Sequence, residues 1–299
     1  MILVFGGNGQ LGQELTRVST ASATPLIALS RAQADVADPA AVRDAIKRHD
    51  PSMVVNAAGY TKVDLAEIEV EANRRVNEIG PATLSAACVS AGVPLIHIST
   101  DYVFDGSKQG PYVEGDPVAP INDYGRSKAA GERAVRESTP LHVILRTSWI
   151  YGEFGQNFLK TILRLAATSD ELRVVADQRG SPTSTPDLAR AILALAPQLL
   201  TGEKIWGTYH FTSSGVTTWH GFASRIVAAQ APLTGRAPRV TPITTAEFPT
   251  PARRPANSEL DCSLFERVFG LRGRPWTEEA DAITRILAGG PLRRDSHVA

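Results

Sequence analysis

Three glycines fix how this chain must begin. Gly6, Gly9 and Gly12 stand directly behind the apolar run Ile2-Leu3-Val4-Phe5 and open a stretch, 11–18, whose apolar residues recur at helical spacing. A buried strand, a turn without side chains and a helix, in that order, leave unpaired backbone amides at a helix N-terminus, where an anion completes them. Gly7, Gly9 and Gly12 also keep the tighter G-x-G-x-x-G spacing.

The same rhythm repeats down the first half. Short apolar runs at 26–29, 53–55, 95–98 and 143–145 alternate with helical patterns at 39–48, 76–91 and 128–137. Apolar strands alternating with helices read as parallel β-α-β units covered on both faces, and predict an α/β fold built on a Rossmann-type doubly wound parallel sheet. After Tyr151 the pattern loosens: Gly152, Gly155, Gly180, Pro182 and Pro186 interrupt it before a helical run at 187–200, and a polar stretch at 212–218 and a Pro-rich one at 232–255 follow. The expected division is a nucleotide-binding domain over 1–150, completed by roughly 170–210, with the rest of 151–299 mainly a smaller C-terminal substrate-binding lobe. No internal repeat is visible, and 289–299 reads as a loose tail.

Thirty-one Lys and Arg balance thirty-one Asp and Glu in 299 residues, so no overall field attracts nucleic acid or an anionic membrane surface. Cys88 and Cys262 lie far apart without metal-ligand neighbours, which predicts no metal centre, no disulfide framework and a reducing compartment. Glu14 reads as a surface charge of the first helix. No apolar run reaches membrane-spanning length and the start lacks a signal-peptide pattern, so a cytoplasmic protein acting on small molecules is expected. Whether it forms a homodimer is left open.

An anion-binding turn that opens a β-α-β unit suits a dinucleotide pyrophosphate, held by Gly6, Gly9, Gln10, Leu11 and Gly12. The second strand ends in Ser30 and Arg31, where an NAD-preferring protein usually carries an acid for the ribose hydroxyls. A donor and a cation suit a ribose phosphate instead, so NADPH is favoured, with NADH as the alternative. Asp35 and Val36 would approach the adenine, and Ala57-Ala58-Gly59 after the third strand leave room for a ligand against the backbone.

In Tyr124-Gly125-Arg126-Ser127-Lys128 a phenol and an ammonium fall four residues apart, on one face if the stretch is helical. Such a cation would lower the phenol's pKa and make Tyr124 a proton donor near neutral pH. Ser99-Thr100-Asp101 follows a buried strand and adds a hydroxyl at a strand end.

Together these residues give a resemblance to the extended short-chain dehydrogenase/reductases and, within them, to the dTDP-4-dehydrorhamnose reductase family. It rests on Gly6-x-x-Gly9-Gln10-Leu11-Gly12, Val55-Asn56-Ala57-Ala58, Ser99 to Gly106, Tyr124 to Lys128, Arg146-Thr147-Ser148-Trp149, Asp177-Gln178-x-Gly180-x-Pro182-Thr183 and Arg254-Pro255-x-Asn257-Ser258, and covers nearly the whole chain. The resemblance implies that Thr100 orients a ketone, Tyr124 protonates its oxygen as hydride arrives from NADPH, and Lys128 stabilises the phenolate while bonding the nicotinamide ribose. The implied substrate is a dTDP-sugar, dTDP-4-dehydro-β-L-rhamnose, with Asp101, Trp149, Asn157 and Arg254 as its contacts. Some relatives bind magnesium through glutamates; Pro186 stands where a second acid would be needed, so no metal is predicted. Other nucleotide-sugar ketoreductases and epimerases share the scaffold, as does a non-catalytic subunit resembling the methionine adenosyltransferase β subunit.

Overall fold

The computed structural model describes residues 1–201 and 205–289, and the tail read at 289–299 lies outside them apart from Gly289, the end of a helix. Five strands, Ile2–Phe5 (β1), Leu26–Leu29 (β2), Met53–Asn56 (β3), Leu95–Thr100 (β4) and His142–Thr147 (β5), join Gly207–His210 in one parallel sheet. The order runs from Gly207–His210 through β5, β4, β3 and β1 to β2. The sixth strand escaped the sequence reading because Gly207-Thr208-Tyr209-His210 carries too few apolar residues to register as a run.

Both faces of the sheet are covered, which is why its strands read as continuous apolar runs. Val4, Val55, Ile96, Ile98 and Leu145 pack with Leu15 of the helix Gln10–Ala21 (α1) and with Leu188 to Leu199 of the helix Thr185–Leu200. On the other face Leu3, Phe5, Val54 and Ile144 meet Val42 and Ile46 of the helix Pro39–His49 (α2) and Leu84 of the helix Gly80–Ala91. Each such side chain contributes about 1.5–3 kcal/mol on burial. A separate core, with Leu159, Leu172, Phe222 and Ile283 among its members, joins the helices Phe158–Ala166, Trp219–Thr234 and Trp276–Gly289 to the parallel pair Glu171–Val175 and Arg239–Ile243.

The chain steps from β1 to β2 in one direction and returns past β1 to place β3 on the other side. A crevice therefore opens at the carboxyl ends of β1 and β3, the place where open α/β sheets bind ligands. Gly6 lines it with φ +93°, and a Cβ there would stand 2.6 Å from the Ala58 nitrogen, so only glycine fits. The amides of Gly6 and Gly7 both donate to the Leu29 carbonyl, at 3.0 and 2.7 Å, and tie the turn to the end of β2.

Glu14, expected as a surface charge, is fully buried. It accepts from Arg17 at 2.6 and 2.9 Å and from Thr185 at 3.1 Å. The sequence shows the acid and the helical run at 187–200, but not that this helix, Thr185–Leu200, packs across α1 and covers the acid. Among the described residues no group of three or more His, Cys, Asp or Glu is placed to hold a metal, and no helix is long and apolar enough to cross a membrane.

A second buried charge joins the helix Asp123–Ser138 to β5. Arg146 grips Glu132 through two hydrogen bonds of 2.7 and 2.8 Å, Arg136 adds a third at 3.0 Å, and the Arg146 guanidinium lies over the Phe104 ring at 5.0 Å. Burial alone would raise the Glu132 carboxyl, but Arg146 outweighs it and holds it down to about 2. Replacing Arg146 by Met is expected to cost about 3–5 kcal/mol in urea unfolding, because it strands a buried anion. Adding Glu132→Gln to that variant should recover part of the loss, the rest being the counter-charge that the buried Lys128 then lacks.

Candidate active site

Thr100, Tyr124 and Lys128 meet at the carboxyl end of β4. Asn122 starts the Asp123–Ser138 helix by accepting the Gly125 amide at 2.7 Å, and Tyr124 and Lys128 follow on one face. The Lys128 ammonium is buried and donates to the Ile98 carbonyl within β4 at 2.6 Å. Tyr124 faces the Thr100 hydroxyl and meets the ring of Tyr102 edge-on at 5.6 Å. Thr100 Oγ1 donates to Asp101 Oδ1 at 2.8 Å and accepts the Tyr102 amide at 3.2 Å.

The expected acidification of Tyr124 by Lys128 does not hold in this structure. Burial pushes the phenol up to about 12; the Thr100 hydrogen bond opposes this, and the Asp101 charge adds to it. Spacing four gave the shared helix face correctly, but desolvation of the phenol is the larger effect. Burial also pulls Lys128 down to about 8, with Glu132 opposing. Beneath it His97 is held neutral by burial and by the Lys128 charge, its Nδ1 lying 3.1 Å from the Asn56 amide nitrogen. Asp101 is 2% exposed, and burial pushes its carboxyl up to about 7 while Ser258 and Thr100 pull it back.

The residues expected to hold a cofactor flank the crevice. Gly9 caps α1 without a side-chain bond, so the amides that open the helix remain free for phosphate oxygens, and the turn's approach to Ala57 and Ala58 leaves the backbone bare. This donor set fits a dinucleotide pyrophosphate. Beside it the Ser30 hydroxyl donates to Gln33 at 2.8 Å, and Arg31 reaches out to Asp35 at 3.4 Å. A second guanidinium, Arg75, converges on the same Asp35 oxygen at 3.0 Å. Burial would raise Asp35, but the Ala37 amide and the two arginines hold it below the usual carboxylate range.

Sequence reading passed over Arg75, since one more charge in a helical pattern carries no signal. What brings it here is a π-helical turn, Arg75–Ile79, ahead of Gly80, where a Cβ would press on Val36 at 2.8 Å. The extra residue and the missing side chain let this segment settle on the loop that carries Asp35 and Val36.

On the lobe side, Trp149 has φ +48° and stacks on Trp219 with ring centres 3.6 Å apart. The flat face expected to meet a sugar is thus covered on one side. Trp219 donates to Gln178 at 3.1 Å. Arg254, expected as a substrate contact, is clamped by both oxygens of Asp64 at 2.8 and 2.7 Å. With Asp64, Phe158, Trp219 and Phe248 it lines a cavity of about 560 Å³. Asn157 caps the Phe158–Ala166 helix through the Lys160 amide at 3.1 Å, and donates to Gly152 at 2.9 Å and to Gln10 at 3.0 Å.

A doubly wound sheet with a glycine turn at its switch point, and Thr, Tyr and Lys at the adjoining rim, is the arrangement of a short-chain dehydrogenase/reductase. Residues 1–288 match the family model described as RmlD substrate binding domain. A dTDP-4-dehydrorhamnose reductase of Sinorhizobium fredii is 44% identical over 96% of this chain and 97% of its own. A crystal structure of a dTDP-4-dehydrorhamnose reductase from Clostridium acetobutylicum superposes with a TM-score of 0.89 at 40% identity, over 96% of this chain and 99% of that one. One from Bacillus anthracis, in complex with NADP, gives 0.86 at 35% identity over 94% and 97%. The chain belongs to the dTDP-4-dehydrorhamnose reductase family.

Two guanidiniums at the end of β2 should make NADPH bind better than NADH. Arg75→Ala is expected to weaken NADPH by roughly tenfold, the scale of one charge-assisted hydrogen bond, and to leave NADH nearly unchanged. Fluorescence titration of each reduced cofactor measures it.

Proposed function

We propose that the protein reduces the C4 ketone of dTDP-4-dehydro-β-L-rhamnose to dTDP-β-L-rhamnose with NADPH. The observation that carries this reading is the convergence of Thr100, Tyr124 and Lys128 at the end of β4, beside the crevice that holds the glycine turn. Gly6, Gly9, Gln10, Leu11 and Gly12 would hold the pyrophosphate, Ser30 and Arg31 the ribose phosphate, Asp35 and Val36 the adenine, and Ala57, Ala58 and Gly59 the far wall. NADPH supplies the hydride.

The chain's own residues handle the oxygen. Thr100 and Tyr124 hold the ketone, and Tyr124 gives its proton to the oxygen as negative charge develops there. A phenol at about 12 is fully protonated at neutral pH, so the donor is always loaded. The phenolate left behind is costly in a buried site, and Lys128 is the cation that stabilises it. Asp101, Trp149, Asn157 and Arg254 are assigned to the sugar nucleotide, whose base and diphosphate would lie in the cavity that Arg254 lines.

The lobe over most of 151–299 is the substrate-binding part of this reading, and 1–150 with roughly 170–210 the cofactor part. A cytoplasmic setting suits a reaction on a nucleotide sugar. A homodimer would cover the groove between the Gly80–Ala91 and Asp123–Ser138 helices, where Ala86, Ala130 and Ala134 lie between Arg43, Arg133, Glu78 and Glu137.

Incubation with the keto-rhamnose nucleotide and NADPH tests the function: one NADPH should be consumed per sugar reduced, whereas an epimerase consumes none net. Tyr124→Phe is expected to lower kcat by about two to four powers of ten while NADPH affinity stays close to the parent's. Because Lys128 loses its proton near 8, kcat/KM should fall as pH rises through about 8. An unchanged rate at pH 9 would remove the ammonium from the mechanism.

A further inference from the structure

Thr100 has a proton-counting problem. Its hydroxyl carries one proton and two acceptor lone pairs. One lone pair takes the Tyr102 amide at 3.2 Å, and Asp101 Oδ1 sits 2.8 Å away. If Asp101 is ionised it can only accept, so the single Thr100 proton must point at it and none remains for a ketone oxygen. If Asp101 is protonated on Oδ1 it becomes the donor, fills the second lone pair, and releases the Thr100 proton to the side where the Tyr124 hydroxyl and the substrate oxygen meet.

We propose that Asp101 is a positioning residue that works through Thr100: as a neutral carboxylic acid it donates to the Thr100 hydroxyl and thereby aims the Thr100 proton at the substrate carbonyl. This assignment rests on the ketone-reducing function proposed above and gives Asp101 a task distinct from a sugar contact.

The surroundings of Asp101 favour the neutral form. Asp101 Oδ2 is buried without a hydrogen-bond partner. Ser258, Thr100 and the amides of Asp101 and Tyr102 pull the carboxyl back toward the anion without outweighing burial, and the Ser258 hydroxyl donates to the Arg179 carbonyl at 3.2 Å. Tyr102 on the same turn and Tyr124 on the Asp123–Ser138 helix are the titratable groups that face it, and both are uncharged phenols at neutral pH. Among the described residues no arginine or lysine hydrogen-bonds it: Lys128 is committed to the Ile98 carbonyl and Arg254 to Asp64. A buried carboxylate with one bare oxygen and no counter-charge is a poor state, and burial accordingly pushes this group up to about 7.

The sign follows directly. Asp101 is neutral below about 7 and gives up its proton above it, so Thr100 is aimed below that pH and captured above it. Lys128 loses its own proton near 8. The wild type should therefore lose two protons from its active form on the alkaline side, and the logarithm of kcat/KM should approach a slope of −2.

Asp101→Asn separates the roles, because an amide donates to Thr100 at every pH. The alkaline slope should fall to −1, and the variant's kcat/KM relative to wild type should rise about tenfold between pH 6 and pH 8. A ratio that stays constant with pH would overturn the proposal, leaving Asp101 a sugar contact or a packing residue. Carbon-13 NMR of the aspartate carboxyls provides a readout without turnover. The resonance missing from Asp101→Asn, or from Asp101→Ser should the first variant not fold, should titrate near 7 in the wild type; titration near 4 would equally overturn it. If the wild type reduces no keto-sugar nucleotide, the functional reading fails, and the NMR titration still decides the protonation of Asp101.

Discussion

The hydrogen bond from the Lys128 ammonium to the Ile98 carbonyl holds the reactive rim together. It crosses from the Asp123–Ser138 helix into the body of β4, and Thr100 stands two residues further along that strand. Fixing the helix at Lys128 fixes Tyr124 one turn earlier, and so sets the phenol against the Thr100 hydroxyl. The bond is charge-assisted and dry, which makes it strong, but a lone ammonium in such a place would be costly. Glu132, one turn further along the helix, supplies the opposite charge, and Arg146 and Arg136 in turn compensate Glu132. The chemistry at the rim thus depends on a column of alternating charge running down inside the protein.

Burial sorts the groups of that column into different protonation states. The phenol of Tyr124 is pushed up, the ammonium of Lys128 down, the carboxyl of Asp101 up and that of Glu132 down, where two arginines outweigh desolvation. Two carboxyls on neighbouring elements are pushed in opposite directions because Glu132 has counter-charges and Asp101 has none. One group is a fixed anion that sustains a lysine, and the other is an acid that can lend a proton.

Much of this was legible in the sequence. The strand at 2–5 appears where the apolar run puts it, because a parallel strand buried on both faces leaves an uninterrupted apolar signal, and the strand at 26–29 keeps such a run at the sheet edge although Ile27 is exposed. The glycine turn, the Tyr124 to Lys128 face and the strand end at Thr100 were equally readable, since each depends on local spacing. What failed depends on distant chain. Glu14 is interior only because a helix 171 residues later lies across it. Arg75 reaches the cofactor edge through a π-helical turn, which no side-chain period announces. The phenol's pKa was misjudged because sequence shows a neighbouring cation but not the depth at which both groups sit.

Asn157 has a consequence for how the two ligands influence each other. Its side chain caps the first helix of the lobe and simultaneously grips Gln10 in the glycine turn. One joint between the sheet and the chain after residue 151 is therefore made at the glycine turn, beside those that Arg17 makes to Glu153 and Thr185 to Glu14. In the proposed reaction a shift of that turn on nucleotide binding would reach the Phe158–Ala166 helix through this bond, and a ligand against that helix would act back on the turn. Whatever free energy one occupant gains from the other's presence must be returned in equal measure.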